Sequence, residues 1–455
     1  MIWSPIDTKA FPLQLNTTVH PKPAAMLLKS RAGVLPFGIL WLLLLFCSVL
    51  APGADSRAVI TTENLDLKHA LTNITKLMKK DVGTSCDISL CEIDGSLCET
   101  DPDNNDGDEY DDDCDEDNLD DCPPAEVDTT DDTAAKRRTY EVRLGSGAAV
   151  ILTGMNYPSI GKLLKTKKGS LVYQYAMQPE NSESCENTFV VANKIQGTDP
   201  PESTVTEHIL ELQTISQWVI KVSSGNLITK VDDKCFTDFW VKSSLPSNIP
   251  KMQSGAFKTS TVPNDRVFEA MGSFRNRGIL LIADSQINLI KARIWSGLNI
   301  FQEQAVNTLS DNAALSGEDA GKAMGMIVRP IQAFNYLNNL QTRSRLYDTI
   351  DGVRDQLQVI ENNIPQCSGL AASWDEFIPP FLEQMATKTA DWLERTTRKI
   401  LDKFEEALND NPDDSDLEDR FMAVETIADY LEDAALVTVK APVRPLVRVE
   451  WPDID

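Results

Sequence analysis

Glu207–Val222 reads EHILELQTISQWVIKV. Ile209, Leu212, Ile215 and Val219 recur at steps of three and four, so the spacing predicts a helix with one apolar face. Upstream the period changes. Tyr140–Leu144 alternates, Ala148–Leu152 is a short apolar run, and Ser170–Tyr175 and Thr188–Ala192 also read as strands. A strand-plus-helix domain over residues 139–250 follows.

Residues 251–455 read as mainly helical. Ile287, Ile290, Ile294 and Phe301 form one stripe of a helix starting near Gly278. Leu346, Ile350, Val353, Leu357 and Ile360 make a second stripe. Pro380 can open a third helix bearing Met385, Trp392, Ile400 and Phe404. Ser415 with Glu418 forms a capping box for a fourth, with Phe421, Val424, Ala428, Leu431 and Ala435 on its face. Four such stripes bury one another most simply as a bundle. Val437–Trp451 alternates and could return as an edge strand, although Pro442 and Pro445 oppose that. The expected class is α+β: a disulfide-tied acidic N-terminal segment, a small strand-plus-helix domain and a mainly helical C-terminal bundle.

In the N-terminal third, Cys86–Cys122 carries almost no such periodicity. Val34–Ala51 is an uncharged apolar run preceded by Lys29 and Arg31 and followed by small residues, the order of a secretory leader. Residues 1–56 are therefore a signal peptide or a signal anchor, the run being near the minimum for a spanning helix. The body is expected outside the cytoplasm, either secreted or held as a single-pass protein with membrane contact only through this segment. Residues 57–138 form a cysteine-bearing acidic stretch, opening with a short possible helix at Thr61–Lys80. Asn73-Ile74-Thr75 is a glycosylation acceptor. Cys47 would leave with the leader. Cys86, Cys91, Cys98, Cys114, Cys122, Cys185, Cys235 and Cys367 then form an even set, read as disulfides of open connectivity.

The formal charge of −26 comes from 43 basic and 69 acidic residues, unevenly placed. Glu99–Asp132 holds 18 Asp and Glu and no Lys or Arg, so the rest of the chain carries 51 acidic against 43 basic residues, or −8. A nucleic-acid partner is not expected, since that needs a basic footprint. The tract reads as a solvated spacer. Calcium is the alternative, with Asp101, Asp103, Asn105 and Asp106 offering hard oxygens beside Gly107 at a spacing that misses the EF-hand loop. No other cofactor or metal is expected. Lys136-Arg137-Arg138 closes the segment, either as a plain linker or as a processing site for a dibasic protease.

Past the leader the histidines are His69 and His208, so a nucleophile–histidine pair has few possible bases. Glu207, His208 and Glu211 form a candidate polar centre, but they match neither H-E-x-x-H nor H-x-x-E-H. A polar anchor holding the helix to the strands serves the same residues without a metal. Trp240, in Cys235-Phe-Thr-Asp-Phe-Trp, is the candidate aromatic platform for glycan stacking, with packing on a cystine as the alternative.

Several segments in a fixed order carry a resemblance. They are Cys86–Cys98 with the acidic tract, Tyr157-Pro158, Cys185, Thr206–Gln213, Cys235, Phe268–Ser273, Asn288–Lys291, Phe334–Asn338 and Trp374–Phe377. Their order resembles the non-catalytic region that follows the barrel in fungal killer-toxin-like chitinases of glycoside hydrolase family 18. The resemblance implies an accessory module and does not bring the hydrolase with it. In the family's D-x-x-D-x-D-x-E motif the Glu protonates the glycosidic oxygen. Here Asp112, Asp115 and Asp117 are followed by Leu119, and Asp108, Asp111 and Asp113 by Asp115. Neither set sits in a chain with the strand–helix alternation of a (β/α)₈ barrel.

The expected function is accordingly a non-catalytic secreted or surface-associated module for chitin, another wall glycan or a protein partner. The alternatives are a toxin-like or effector-like body released by processing after Arg138, and an enzyme of unrecognised type centred on His208.

Overall fold

The computed structural model describes residues 138–165, 174–181, 187–197, 200–249 and 260–433. The expectations at Thr61–Lys80, at Cys86–Cys122 and at Val437–Trp451 lie outside them, as do Asn73, Lys136, Arg137 and Cys185. Among the described residues no helix is long and apolar enough to cross a membrane.

The described residues open on a hairpin. β1 (Thr139–Arg143) and β2 (Ala149–Thr153) pair antiparallel, Thr139 opposite Thr153. Val142, Val150 and Leu152 are buried while Ile151 faces out, the alternation read from the sequence. The β2 edge is closed by Asn264, which accepts from the Thr153 N–H (3.2 Å) and donates to the Thr153 carbonyl (2.7 Å). A side-chain amide thus does what a third strand would.

α1 (Ile160–Lys165) leads towards a four-stranded sheet of β3 (Tyr175–Pro179), β4 (Val190–Lys194), β5 (Thr204–Glu207) and β6 (Leu281–Asp284), in the order β4-β3-β6-β5. β3 pairs with β6 in parallel, and the two outer pairings are antiparallel. β6 corrects two expectations. The helix expected from near Gly278 begins only at Ser285, as α4 (Ser285–Ser296), and Phe301 lies beyond it. A sheet strand from past residue 280, bonded to strands from before 250, also means that the boundary expected at 250 does not divide two separate layers. β6 is buried at every position, and a short apolar run of this kind has no period to tell strand from helix.

The opening stretch is corrected likewise. Thr204–Glu207 is strand, residues 208–212 turn, and the helix α2 runs only over Gln213–Ser223. The cause is local. The carbonyls of His208 and Ile209 both accept from the Lys291 ammonium, at 2.6 and 3.3 Å, which takes them out of any helical ladder. Ile209, Leu210 and Leu212 are all buried, so the apparent stripe is a turn enclosed by the core.

The rest is helical: α3 (Pro263–Met271), α5 (Glu303–Asn312), α6 (Gly317–Asn338), α7 (Leu340–Asn363), α8 (Leu370–Asp410) and α9 (Ser415–Asp433). All five stripe residues of α7 are buried as expected. α8 starts ten residues before Pro380 and runs through Pro379 and Pro380. Leu370, Trp374, Phe377 and Ile378 bury the added turns, which offsets the backbone bonds that the prolines cannot make. At α9 the cap is Asp414 instead of Ser415, its carboxylate accepting from the Asp416 and Leu417 N–H groups.

Cys235 and Cys367 are disulfide-bonded across 132 positions, tying a single π turn (Cys235–Phe239) to the short 3₁₀ turn before α8. Trp218, Phe236, Trp240 and Trp374 pack around this junction with ring centroids 5.3–6.0 Å apart.

Candidate functional site

The two turns of β6–α4 place the centre of the site. Asp284 ends β6 and caps α4, accepting from the Gln286 and Ile287 N–H groups at 2.9 and 3.1 Å. That cap sets the helix so that Ile287, Ile290, Lys291, Ile294 and Trp295 face inward. Lys291 is therefore a cation on an apolar face, 0% exposed. Such a group needs its charge and all three N–H bonds matched.

Residues 207–211 supply the match. The Lys291 ammonium forms ion pairs with Glu207 and with Glu211, the second at 3.0 Å, and donates to the His208 carbonyl. The ammonium nitrogen also lies 5.4 Å from the Trp295 ring centroid. Glu207 faces Lys291 because it ends β5, whose partner β6 leads directly into α4. Tyr336 of α6 closes the Glu211 side; burial, with the Glu211 charge beside it, holds its phenol well above the usual range.

His208 points away from this ion pair. Its Nε2 meets the Gly272 carbonyl at 3.2 Å, and its ring stands edge-on to Tyr157 at 4.4 Å. Burial lowers its pKa to about 4, against the Gly272 bond that favours the charged form, and the Arg138 charge lowers it further. The ring is neutral at physiological pH and acts as a donor to Gly272. Gly272 is forced to be glycine: its φ is +130°, and a Cβ there would lie 2.4 Å from Leu280 Cδ2 and 3.1 Å from His208 Cδ2. Gly272→Ala is expected to destabilise the protein by about 2–5 kcal/mol, from backbone strain plus overpacking, seen as a lower urea midpoint with unchanged slope.

A second buried carboxyl lies on α3. Burial raises Glu269 to about 7, opposed by the Arg275 and Arg266 charges. The two shifts act in opposite directions on stability. His208, lowered in the folded state, contributes fully above pH 6.5 and loses its contribution as pH falls towards 4. Glu269, raised in the folded state, contributes fully below about pH 4.5 and loses its contribution as pH rises through 7. Each is worth about 3 kcal/mol, so their sum is nearly flat between those limits. Glu269→Gln removes one of them. Its stability relative to the unaltered chain is expected to improve by about 3 kcal/mol from pH 4.5 to pH 7.5, measured by urea unfolding at each pH.

Of the expected candidates, Glu207, His208 and Glu211 do meet in space, and they meet around Lys291, which the sequence reading did not single out. The signal was present as one lysine in phase with Ile287, Ile294 and Trp295. Trp240 is 0% exposed and packed against Trp218 and Phe236, so it offers no face to a glycan ring; the cystine neighbour explains its burial. Arg138 lies at the start of the hairpin, its carbonyl accepting from Gly154 N–H at 2.8 Å. Among the described residues no group of three or more His, Cys, Asp or Glu is arranged to hold a metal ion, and the acidic tract lies outside them. Five segments far apart in sequence converge here: Tyr157, Thr206–Gln213, Phe268–Ser273, Asn288–Lys291 and Tyr336 of Phe334–Asn338. No family model, no curated protein and no solved structure matches the chain.

Proposed function

We propose that this chain is a non-catalytic interaction module, secreted or displayed at the cell surface, in which the Glu207–Lys291–Glu211 cluster is a structural hub. The observation that carries the reading is the saturation of that cluster. The ammonium is spent on two carboxylates and a backbone carbonyl, and the one histidine beside it is spent on Gly272. A general base or nucleophile needs a free lone pair facing a substrate. These groups face one another inside the core. The buried Cys235–Cys367 bond agrees with an oxidising compartment beyond the leader at Val34–Ala51.

The likeness to the accessory region of killer-toxin-like chitinases belongs to this proposal. Its support is that the segments carrying the likeness gather around Lys291, as expected of residues that define a fold. With Trp240 enclosed, the reading favours a protein partner at the wall over direct glycan stacking. The Ile228 loop offers a suitable contact. Ile228 is 91% exposed, while the loop is pinned by Glu376, which accepts from Thr229 N–H at 2.9 Å and from Ile228 N–H at 2.5 Å. A held aliphatic side chain loses little entropy on binding.

The test is retention of the full chain on insoluble chitin, β-glucan and cellulose, with reducing ends followed in parallel and with His208→Ala compared at equal folded fraction. The expected result is no sugar release from either protein. Release that disappears in His208→Ala would overturn the reading and favour the enzyme.

A further inference from the structure

The β1–β2 hairpin leaves one of its two edges open. The Leu144 N–H donates to the Ala148 carbonyl and the Gly154 N–H to the Arg138 carbonyl, both at 2.8 Å. Antiparallel ladders alternate, so Tyr140 and Val142 turn their backbone groups towards β2, and Thr139, Glu141 and Arg143 turn theirs away from it. On the β2 side Thr153, opposite Thr139, also points outward, and Asn264 satisfies both of its backbone groups. Nothing does the same for β1. Among the described residues no donor or acceptor meets the N–H and C=O groups of Thr139, Glu141 and Arg143. All three residues are exposed, while Val142 between them is buried. The edge is also held in place from beneath. Gly145, at the end of β1, sits so close to α2 that a Cβ there would lie 2.2 Å from the Ser223 carbonyl oxygen, and Tyr140 stacks on Phe268 of α3 with ring centroids 6.3 Å apart. A fixed, unpaired edge of this kind is a template for another strand.

We infer that this edge receives β1 of a second copy of the chain, antiparallel, about a two-fold axis at Val142. Charge selects both the occupant and the register. Glu141 and Arg143 stand two positions apart on the same outward face, and neither has an ion pair among the described residues. Their neighbours within the hairpin are Ile151 and Ala149, which carry no charge. Pairing centred on Val142 sets Glu141 opposite Arg143 of the second copy, and Arg143 opposite Glu141 of the second copy. Each of these pairs exchanges both backbone bonds and puts opposite charges side by side. Centring on Glu141 would bring the two glutamates face to face, and centring on Tyr140 would leave Arg143 beyond the end of the facing strand. The strand is thus complementary to itself in one register, as an isologous contact requires. The product is a four-stranded sheet in the order β2-β1-β1-β2. Its outer face carries the row Ile151, Glu141, Arg143, Ala149 twice, once in each direction.

The experiment is sedimentation of the full chain at about 0.15 M salt, where a screening length of about 8 Å keeps the net charge of −26 from holding two copies apart. Between about 1 and 100 μM it should show a reversible monomer–dimer equilibrium. Glu141→Arg makes both facing positions positive, and Arg143→Glu makes both negative. Each is expected to weaken the dimer about tenfold or more while leaving the urea midpoint unchanged, because neither side chain has a charge partner within its own hairpin. Mixing the two variants restores opposite charges at both positions, so a mixed dimer should form at concentrations where neither variant dimerises alone. Amide protection at Glu141 and Arg143 should rise with concentration, while that of Ile151, on the far edge, stays constant. A chain that is monomeric throughout the range, single variants as dimeric as the parent, or a mixture that stays monomeric would each overturn the pairing. None of these outcomes depends on whether the module binds a wall partner.

Discussion

Lys291→Met is expected to destabilise the protein by about 3–5 kcal/mol, equivalent to a loss on the order of 10 °C in Tm. Methionine keeps most of the volume of the stem, so the loss reports charge more than cavity. What remains is the expensive state: Glu207 and Glu211, 2% and 7% exposed, with no ammonium between them. The carbonyls of His208 and Ile209 lose their donor as well. The turn over residues 208–212 keeps the His208–Gly272 bond and its buried Ile209, Leu210 and Leu212, so the damage should concentrate where β5 meets α2 and not spread through the core. Amide exchange would read it there first, with protection of β6 and α4 falling together and protection of α8 and α9 affected only through global unfolding.

The second large effect belongs to Cys235 and Cys367. The bond closes a loop over 132 positions, and in the chain-entropy account a loop of that size constrains the unfolded ensemble by about 5 kcal/mol at most, with measured losses of about 2–5 kcal/mol. Both sulfurs are fully buried beneath Trp218, Phe236 and Trp240, so reductant alone should act slowly on the native protein. In urea the bond becomes accessible, and the unfolding midpoint measured with a thiol reductant should fall well below the midpoint without it. A Cys235→Ala/Cys367→Ala pair should reproduce that lower midpoint and then be insensitive to reductant. Equal midpoints with and without reductant would show that the bond contributes nothing.

Much of the fold is legible from periodicity. The β1–β2 hairpin alternates because one face meets the core and the other meets solvent, and α7 keeps its stripe because a long helix samples several turns of the period. The pairing of Cys235 with Cys367 is not legible, since eight cysteines leave the choice to tertiary geometry. β5 and β6 span four residues each, too few for a period to show; β6 is buried at every position, and β5 goes from two half-buried to two buried residues, so neither alternates. Pro379 and Pro380 mislead for a different reason: helix-breaking is a local preference of a few kcal/mol, and the buried Trp374, Phe377 and Phe381 around it outweigh that preference. At the site, Glu207, His208 and Glu211 could be nominated by residue type alone. Their cation could not be found by nearness in sequence, because Lys291 lies 80 positions from Glu211; it could be found only by asking what a lysine is doing on the apolar stripe of α4.

The most direct test of the account is to neutralise the hub as a whole and compare it with the single change. Urea unfolding of Glu207→Gln/Glu211→Gln/Lys291→Met should show a stability at least half-way back from the Lys291→Met value to that of the unaltered chain, since an uncharged cluster leaves no carboxylate stranded in the core. A triple variant as unstable as Lys291→Met alone, or a Lys291→Met chain as stable as the parent, would contradict the assignment of Lys291 as the counter-charge that holds β5, α4 and the 208–212 turn together.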